Sequence, residues 1–241
     1  MPDEISAAAT EHAHRVREMF ATIAARYDLL NHLLSANVDK RWRRQTAQAV
    51  AKRLPAGGAR VLDIACGTGD LSFALFEISG ADVVGTDFCR PMLEIASRKA
   101  ATLAPIPFIE ADALHLPFNE NSFEGSAIAF GLRNFSSTEA GLREMFRVLR
   151  PNGVLAVLEC SRPVVPGLRV LFQFYFTRLL PLIGGLVSGS RHAYQYLPNS
   201  VSHFLTQEEL ATLMRQVGFT KVSYQNLTGG IAALHVGIKP A

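Results

Sequence analysis

Apolar residues change period several times along this chain. From about residue 13 to 54, Met19, Phe20, Ile23, Tyr27, Leu30 and Leu34 recur at spacings of three and four, as on one face of a helix. Pro55 through Gly58 ends that pattern. Strand-like runs then alternate with helical ones: strands over 60–65, 82–87, 106–112, 123–130 and 153–160, with helices over 70–79, 91–103 and from about Ser136. Ser136 with Glu139 reads as a capping box opening the last of these helices, and Pro151 to Gly153 as a turn into the next strand. After residue 160 the alternation stops. It resumes with a helix opening at Thr206, capped through Glu209 and closing at Gly218, then strands over 220–226 and 231–238. Gly229 and Gly230 between those two strands predict an antiparallel hairpin at a sheet edge.

Strands alternating with ten-to-fifteen-residue helices predict an α/β fold, a doubly wound and mostly parallel sheet covered on both faces. A chain of 241 residues fits one such domain, here 1–241, with a helical N-terminal extension over 1–55 and an insertion over 161–205. The insertion contains an apolar stretch, 168–187, long enough to cross a bilayer. Arg169, Arg178 and Pro181 within it argue against a span, because charge at mid-membrane is costly, and favour a surface helix.

Composition narrows the function classes. The formal charge is +3, so the overall balance does not point to nucleic acid. Cys66, Cys89 and Cys160 stand singly, without the spacing of a metal site or a disulfide framework, which fits a reducing cytoplasm and predicts no metal. The first residues show no basic-then-apolar export pattern.

The candidate chemistry lies in "VLDIACGTGD", residues 61–70. Glycines directly after a buried strand mark close approach of backbone to a ligand, at the carboxyl edge where doubly wound sheets bind. A dinucleotide fingerprint would place a third glycine where Ser72 stands, and no phosphate-binding lysine follows. Asp70 opens the next helix and would repel phosphate from the positive end of its dipole. An adenosine cofactor without phosphates, S-adenosylmethionine, suits the pattern better. Asp63 and Asp70 face a cationic ligand, and Gly67 and Gly69 let backbone amides approach its carboxylate. Asp87 ends the second strand, where an acid takes both ribose hydroxyls, and Asp112 follows the third, beside the adenine.

The chain also resembles a known family, the ubiquinone/menaquinone biosynthesis C-methyltransferases of the class I, S-adenosylmethionine-dependent type. The resemblance covers nearly the whole chain: "MFATIAARYDLLNHLLS" (19–35), "DKRWRR" (39–44), "DIACGTGDLSF" (63–73), "GTDFCRPML" (85–93), "ADALHLPF" (111–118), "AFGLRNF" (129–135), "REMFRVLRPNGVLAVLECSRP" (143–163) and "RHAYQYLPNSVSHF" (191–204). It implies a Rossmann-like sheet and cofactor contacts at Thr68, Asp87, Asp112 and Ala113. A serine of the family is replaced here by Ala129, so that hydroxyl contact is missing. It further implies methyl transfer to a ring carbon of a prenylated quinol, of the demethylmenaquinol or the benzoquinol type. Such chemistry needs a polarised phenolic hydroxyl, which points to Arg133, held by Asn134, as the group that stabilises the developing phenolate. Tyr27, Asp28, Tyr194 and Tyr196 are candidates for placing the quinol hydroxyls; no base is assigned among His32, His192 and His203.

A membrane-borne substrate makes the 168–187 stretch a candidate cap and tail channel touching the bilayer, with a buried core helix as the alternative. "DKRWRR" reads as a solvated helix face with Trp42 turned inward, or as a lipid-headgroup contact. Localisation is expected to be cytoplasmic, peripheral at the inner face of the membrane. Monomer and homodimer are both open. Two other readings remain at this point: a methyltransferase of another small molecule, and a non-catalytic cofactor-binding scaffold.

Overall fold

The computed structural model describes residues 2–167, 172 and 191–241. Seven strands form a single sheet: β1 (Arg60–Ile64), β2 (Asp82–Asp87), β3 (Phe108–Glu110), β4 (Phe123–Ala129), β5 (Leu149–Cys160), β6 (Thr220–Leu227) and β7 (Ala232–Ile238). Their order is β3-β2-β1-β4-β5-β7-β6, parallel from β3 through β5, with β7 antiparallel to both neighbours. The sheet order reverses between β1 and β4, which opens a crevice beyond their carboxyl ends. The predicted edge hairpin is the β6–β7 pair.

The central strands alternate between two buried faces. Val61 packs with Trp42, Val50, Leu71 and Leu75 on one side, while Leu62 and Ile64 pack with Leu142, Met145, Leu210 and Met214 on the other. Burial on both faces explains why these strands read as continuous apolar runs. The helices are α1 (Pro2–Ile23), α2 (Tyr27–Leu34), α3 (Val38–Ala51), α4 (Asp70–Ser79), α5 (Arg90–Leu103), α6 (Thr138–Val148), α7 (Arg191–His203) and α8 (Gln207–Val217). The α8 cap is the predicted box: Thr206 Oγ1 accepts from the Glu209 N–H, and Glu209 returns a bond to the Thr206 N–H.

Three expectations are corrected. The helical pattern over 13–54 is three helices, broken by a tight turn at Ala24–Arg26 and by left-handed Ala36 and Asn37 (φ 51° and 62°); period alone carries across such short breaks. The α6 cap is Ser137, whose side chain accepts from the Ala140 N–H, one residue beyond Ser136. Pro151 to Gly153 is a bulge inside β5, since Phe123 pairs with Leu149 but Gly125 pairs with Val154. The apolar stretch 168–187 lies outside the described residues, apart from residue 172. Among the described residues no helix is long and apolar enough to cross a membrane.

Candidate active site

The β1–α4 loop turns sharply through left-handed Ala65, Gly67 and Gly69 (φ 51°, 56° and 89°). Gly69 needs its lack of a side chain twice over, because a Cβ there would lie 3.0 Å from the Phe108 and Phe73 rings. Gly131, after β4, lies tightly against the same loop; a Cβ on it would come within 2.7 Å of that of Ala65. These contacts draw the turn carrying Arg133 and Asn134 up to the glycine loop.

A cavity of about 460 Å³ opens at this edge, lined by Gly67, Asp87, Asp112, Ala113, Ala129 and Asn134 from the sheet side. Ala13, Arg17, Phe20 and Tyr27 close it from α1 and α2, which sequence reasoning did not assign to the cofactor side. Asp87 is buried at the tip of β2. One carboxylate oxygen accepts from the Gly67 N–H and the other from the Cys89 N–H, each at 2.8 Å. Burial pushes its carboxyl up to about 6, against the pull of those amides. Asp112 sits at the rim, accepting from the Leu114 N–H at 2.9 Å, beside His115.

Asp63 is fully buried. Its Oδ2 accepts from Ser72 Oγ, while Oδ1 has no partner among the described residues. Burial lifts its carboxyl to about 7, with the Ser72 bond and Arg43 opposing. An orphaned carboxylate oxygen beside Gly67 and Thr68, with an acid on the wall at Asp87, fits a cofactor with a cationic end and a ribose. Three parts of the expectation need correction. Asp70 is already held by Lys99 at 2.9 Å, with His32 at 3.6 Å, so it does not offer a free charge to a ligand. The loop amides are engaged internally, Gly67 by Asp87 and Gly69 by the Cys66 carbonyl. Thr68 turns its hydroxyl to Asp28, and Gly69 packs on Phe73 and Phe108 rather than lining the cavity.

Beside this cavity lies a second, of about 450 Å³, lined by Arg133, Phe135, Tyr196, His12, His203 and Leu213 among others. Phe135 borders both cavities. Arg133 is buried and held by Glu159, a residue sequence reasoning missed. Its Nη1 donates to Glu159 Oε1 at 2.7 Å and to the Phe130 carbonyl, and its backbone N–H donates to Glu159 Oε2 at 3.2 Å. Burial opposes the guanidinium's charge, but the ion pair outweighs it and raises the pKa further. The Nε of Arg133 is buried and has no partner among the described residues. Asn134 does not hold Arg133; its side-chain oxygen accepts from the Tyr196 hydroxyl at 3.0 Å. The side chains of Tyr194 and His192 are outside the described residues. Trp42 is buried as expected, donating to Thr228 Oγ1 at 3.1 Å, while Lys40, Arg41 and Arg44 stay exposed.

A mostly parallel seven-stranded sheet ending in an antiparallel hairpin, with a glycine loop after β1 and an acid at the tip of β2, defines the class I methyltransferase architecture. Solved structures share it: a methyltransferase from Thermotoga maritima aligns with a TM-score of 0.64 at 19% identity, over 92% of this chain and 98% of that one. A phosphoethanolamine N-methyltransferase from Haemonchus contortus aligns at 0.60 and 15%, over 82% of this chain and 53% of that one. The [4+2]-cyclase SpnF also aligns at 0.60, with 19% identity, over 82% of this chain and 81% of that one, so the fold alone does not fix the reaction.

Sequence comparison goes further. The profile of the ubiE/COQ5 methyltransferase family matches residues 8–239. Demethylmenaquinone methyltransferase of Thermus thermophilus is 49% identical over 224 residues, covering 92% of this chain and all of that one. The enzyme of the same name from Deinococcus radiodurans is 48% identical, over 93% and 92% of the two chains. A ubiquinone/menaquinone biosynthesis C-methyltransferase of Geotalea uraniireducens is 41% identical, over 95% and 98%. The chain belongs to the ubiE/COQ5 methyltransferase family, and it is a methyltransferase.

Proposed function

We propose that this chain transfers the methyl group of S-adenosylmethionine to a ring carbon of a prenylated quinol, converting demethylmenaquinol to menaquinol. Family membership and the names of relatives matched over nearly their whole length support the reaction. The observation that carries it to the site is the pair of adjoining cavities, about 460 and 450 Å³, at the turn that holds Arg133 and Asn134. One is built for an adenosine ligand, the other for a polar ring.

S-adenosylmethionine supplies an electrophilic methyl on a sulfonium. This chain's residues do the rest. Asp87 accepts from the ribose hydroxyls on the lone pairs that Gly67 and Cys89 leave free. Asp112 and Ala113 border the adenine, and Asp63, in a separate small pocket behind Gly67 and Thr68, lends its charge to the cationic amino-acid end through that loop. Ala129, lacking a hydroxyl, leaves its stretch of wall to backbone groups.

The quinol ring occupies the second cavity. Its hydroxyl must approach phenolate character before the ring carbon becomes nucleophilic, and Arg133, fixed as a cation by Glu159, stabilises that charge. Asn134 and Tyr196, bonded to each other, place the ring for in-line attack. Tyr194, two residues before Tyr196 in sequence, is a further candidate. The methyltransferase domain spans 1–241, with residues 1–55 covering the donor and 161–205 serving the substrate side. The protein works at the cytoplasmic face of the membrane as a peripheral enzyme. Exposed Leu29 and Leu33 on α2 and Val164 and Val165 after β5 support a membrane-facing surface.

Transfer of labelled methyl from S-adenosylmethionine to chemically reduced demethylmenaquinone tests the proposal, with a demethylated benzoquinol in parallel. Label in the naphthoquinol supports it, and label in both extends it to two quinone pathways. No label in either, with cofactor binding demonstrated, overturns it.

A further inference from the structure

The N-terminal helices close the larger cavity. Between α1–α2 and the sheet domain lies a small apolar cluster of Phe20, Ala24, Tyr27, Cys89 and Met92. Polar contacts add to it: from α1, Arg17 pairs with Glu110 and His12 meets the Asn134 carbonyl, and from α2 the contacts centre on one lysine. Lys99, on α5, donates from Nζ to Asp28 Oδ2 at 2.7 Å and to Asp70 Oδ1 at 2.9 Å. Asp28 belongs to α2, Asp70 is the first residue of α4, and Asp28 also accepts from Thr68 Oγ1 in the glycine loop. One ammonium therefore bridges the covering helix, the glycine-loop helix and α5. All three side chains are about three-quarters buried, which limits screening by salt.

We infer that Lys99 is a positioning residue for methyl transfer: it latches α2 onto the glycine loop and so holds the N-terminal helices closed over the donor cavity. Tyr27 stands immediately before Asp28, lines that cavity and would lie 3.9 Å from a Cβ built on Gly67, so the latch sets where this wall sits. Without Lys99 the attraction is not merely lost. Asp28 and Asp70 would face each other across the gap that one Nζ now fills, and the two carboxylates would push α2 away from the loop. His32, near Asp70 at 3.6 Å, is also shared with Asp39, which is itself paired to Arg43, so it makes a poor substitute. A loosened covering helix acts on release of the ligand beneath it.

The inference rests on the donor cavity binding S-adenosylmethionine, and the test separates the two. Release of S-adenosylhomocysteine is followed by stopped-flow displacement from wild type, from Lys99→Met, and from the charge swap Asp28→Lys with Lys99→Asp. The swap keeps one cation between two carboxylates with their positions exchanged. Wild type that binds neither S-adenosylmethionine nor its product refutes the cofactor reading itself. With binding present, Lys99→Met is expected to release product about tenfold faster, and the swap to restore most of that difference. A purely structural lysine would lower Tm without this rescue. Release from Lys99→Met within about twofold of wild type overturns the latch. If Lys99→Met does not fold, a folded swap variant that releases as slowly as wild type supports the latch, and a folded swap variant that releases about tenfold faster than wild type overturns it.

Discussion

Glu159→Gln probes the arrangement that makes Arg133 usable. Glu159 is 2% exposed and Arg133 8%, and the carboxylate serves three donors: Arg133 Nη1 at 2.7 Å, the Cys160 N–H at 2.8 Å and the Arg133 N–H at 3.2 Å. Glutamine has nearly the same shape but one acceptor, and its amide nitrogen would turn toward a donor. The larger effect is electrostatic, since the substitution leaves a buried guanidinium uncompensated, with its Nε already lacking a partner. Breaking a buried pair in this way costs ~3–5 kcal/mol, a large share of the ~5–15 kcal/mol that holds a domain folded. For a chain of this size that is a fall in Tm of roughly 6–20 °C. Urea denaturation at neutral pH reads it directly. Removing both charges, with Arg133→Met added, is expected to recover at least half of the lost stability, because an apolar side chain suits the site better than an unpaired cation. Neither variant should regain turnover, since the group that stabilises the phenolate is displaced in one and absent in the other. A loss below about 1 kcal/mol for Glu159→Gln, or a double variant less stable than the sum of the single changes, would refute this account of how Arg133 is held.

Further outcomes follow from the same geometry. Asp87→Asn is expected to weaken S-adenosylmethionine binding by roughly 10–150-fold, the value of one charge-assisted hydrogen bond of ~1.5–3 kcal/mol; unchanged affinity by calorimetry would remove Asp87 from the ribose site. Asp63 holds its proton more tightly in the folded chain, at about 7 against 3.8 unfolded. Its contribution to stability is therefore full below the unfolded value and is lost as pH rises through about 7. Asp63→Asn should accordingly raise the Tm of the ligand-free protein at pH 8 while weakening cofactor binding, and a lower Tm at that pH would contradict the burial argument. Ser137→Ala should cost about 1 kcal/mol as the loss of a helix cap, whereas Ser136→Ala should stay within about 0.5 kcal/mol. The reverse order by thermal melting would return the cap to Ser136.

Most of the framework was legible because its signals are local. The strand ends at Ile64 and Asp87, the glycine pair, the start of α4 at Asp70 and the Thr206 cap all follow from period and short-range chemistry. What escaped depends on residues distant in sequence. Glu159 reads as one polar interruption in an apolar strand, and nothing near it in the chain names Arg133 as its partner. Lys99 sits in an ordinary amphipathic helix, and its bridge to Asp28 and Asp70 arises only when α2 folds back over the loop. Asp70 was misjudged for the same reason: its charge suits a cation, and Lys99 supplies one from within the chain. The Ser136 error is different in kind, since two adjacent serines carry the same local signal and tertiary packing chooses between them.

The central claim is methylation at a ring carbon, and the most direct measurement is carbon NMR of the product formed from S-adenosylmethionine carrying a labelled methyl, with reduced demethylmenaquinone as acceptor. The account predicts one labelled signal of a methyl bonded to the naphthoquinone ring, reduced in Asp87→Asn at limiting donor and strongly reduced in Arg133→Met. A labelled methoxy signal would make this an oxygen methyltransferase and contradict the role given to Arg133. No labelled product, from protein that binds the donor, would contradict the quinol assignment itself.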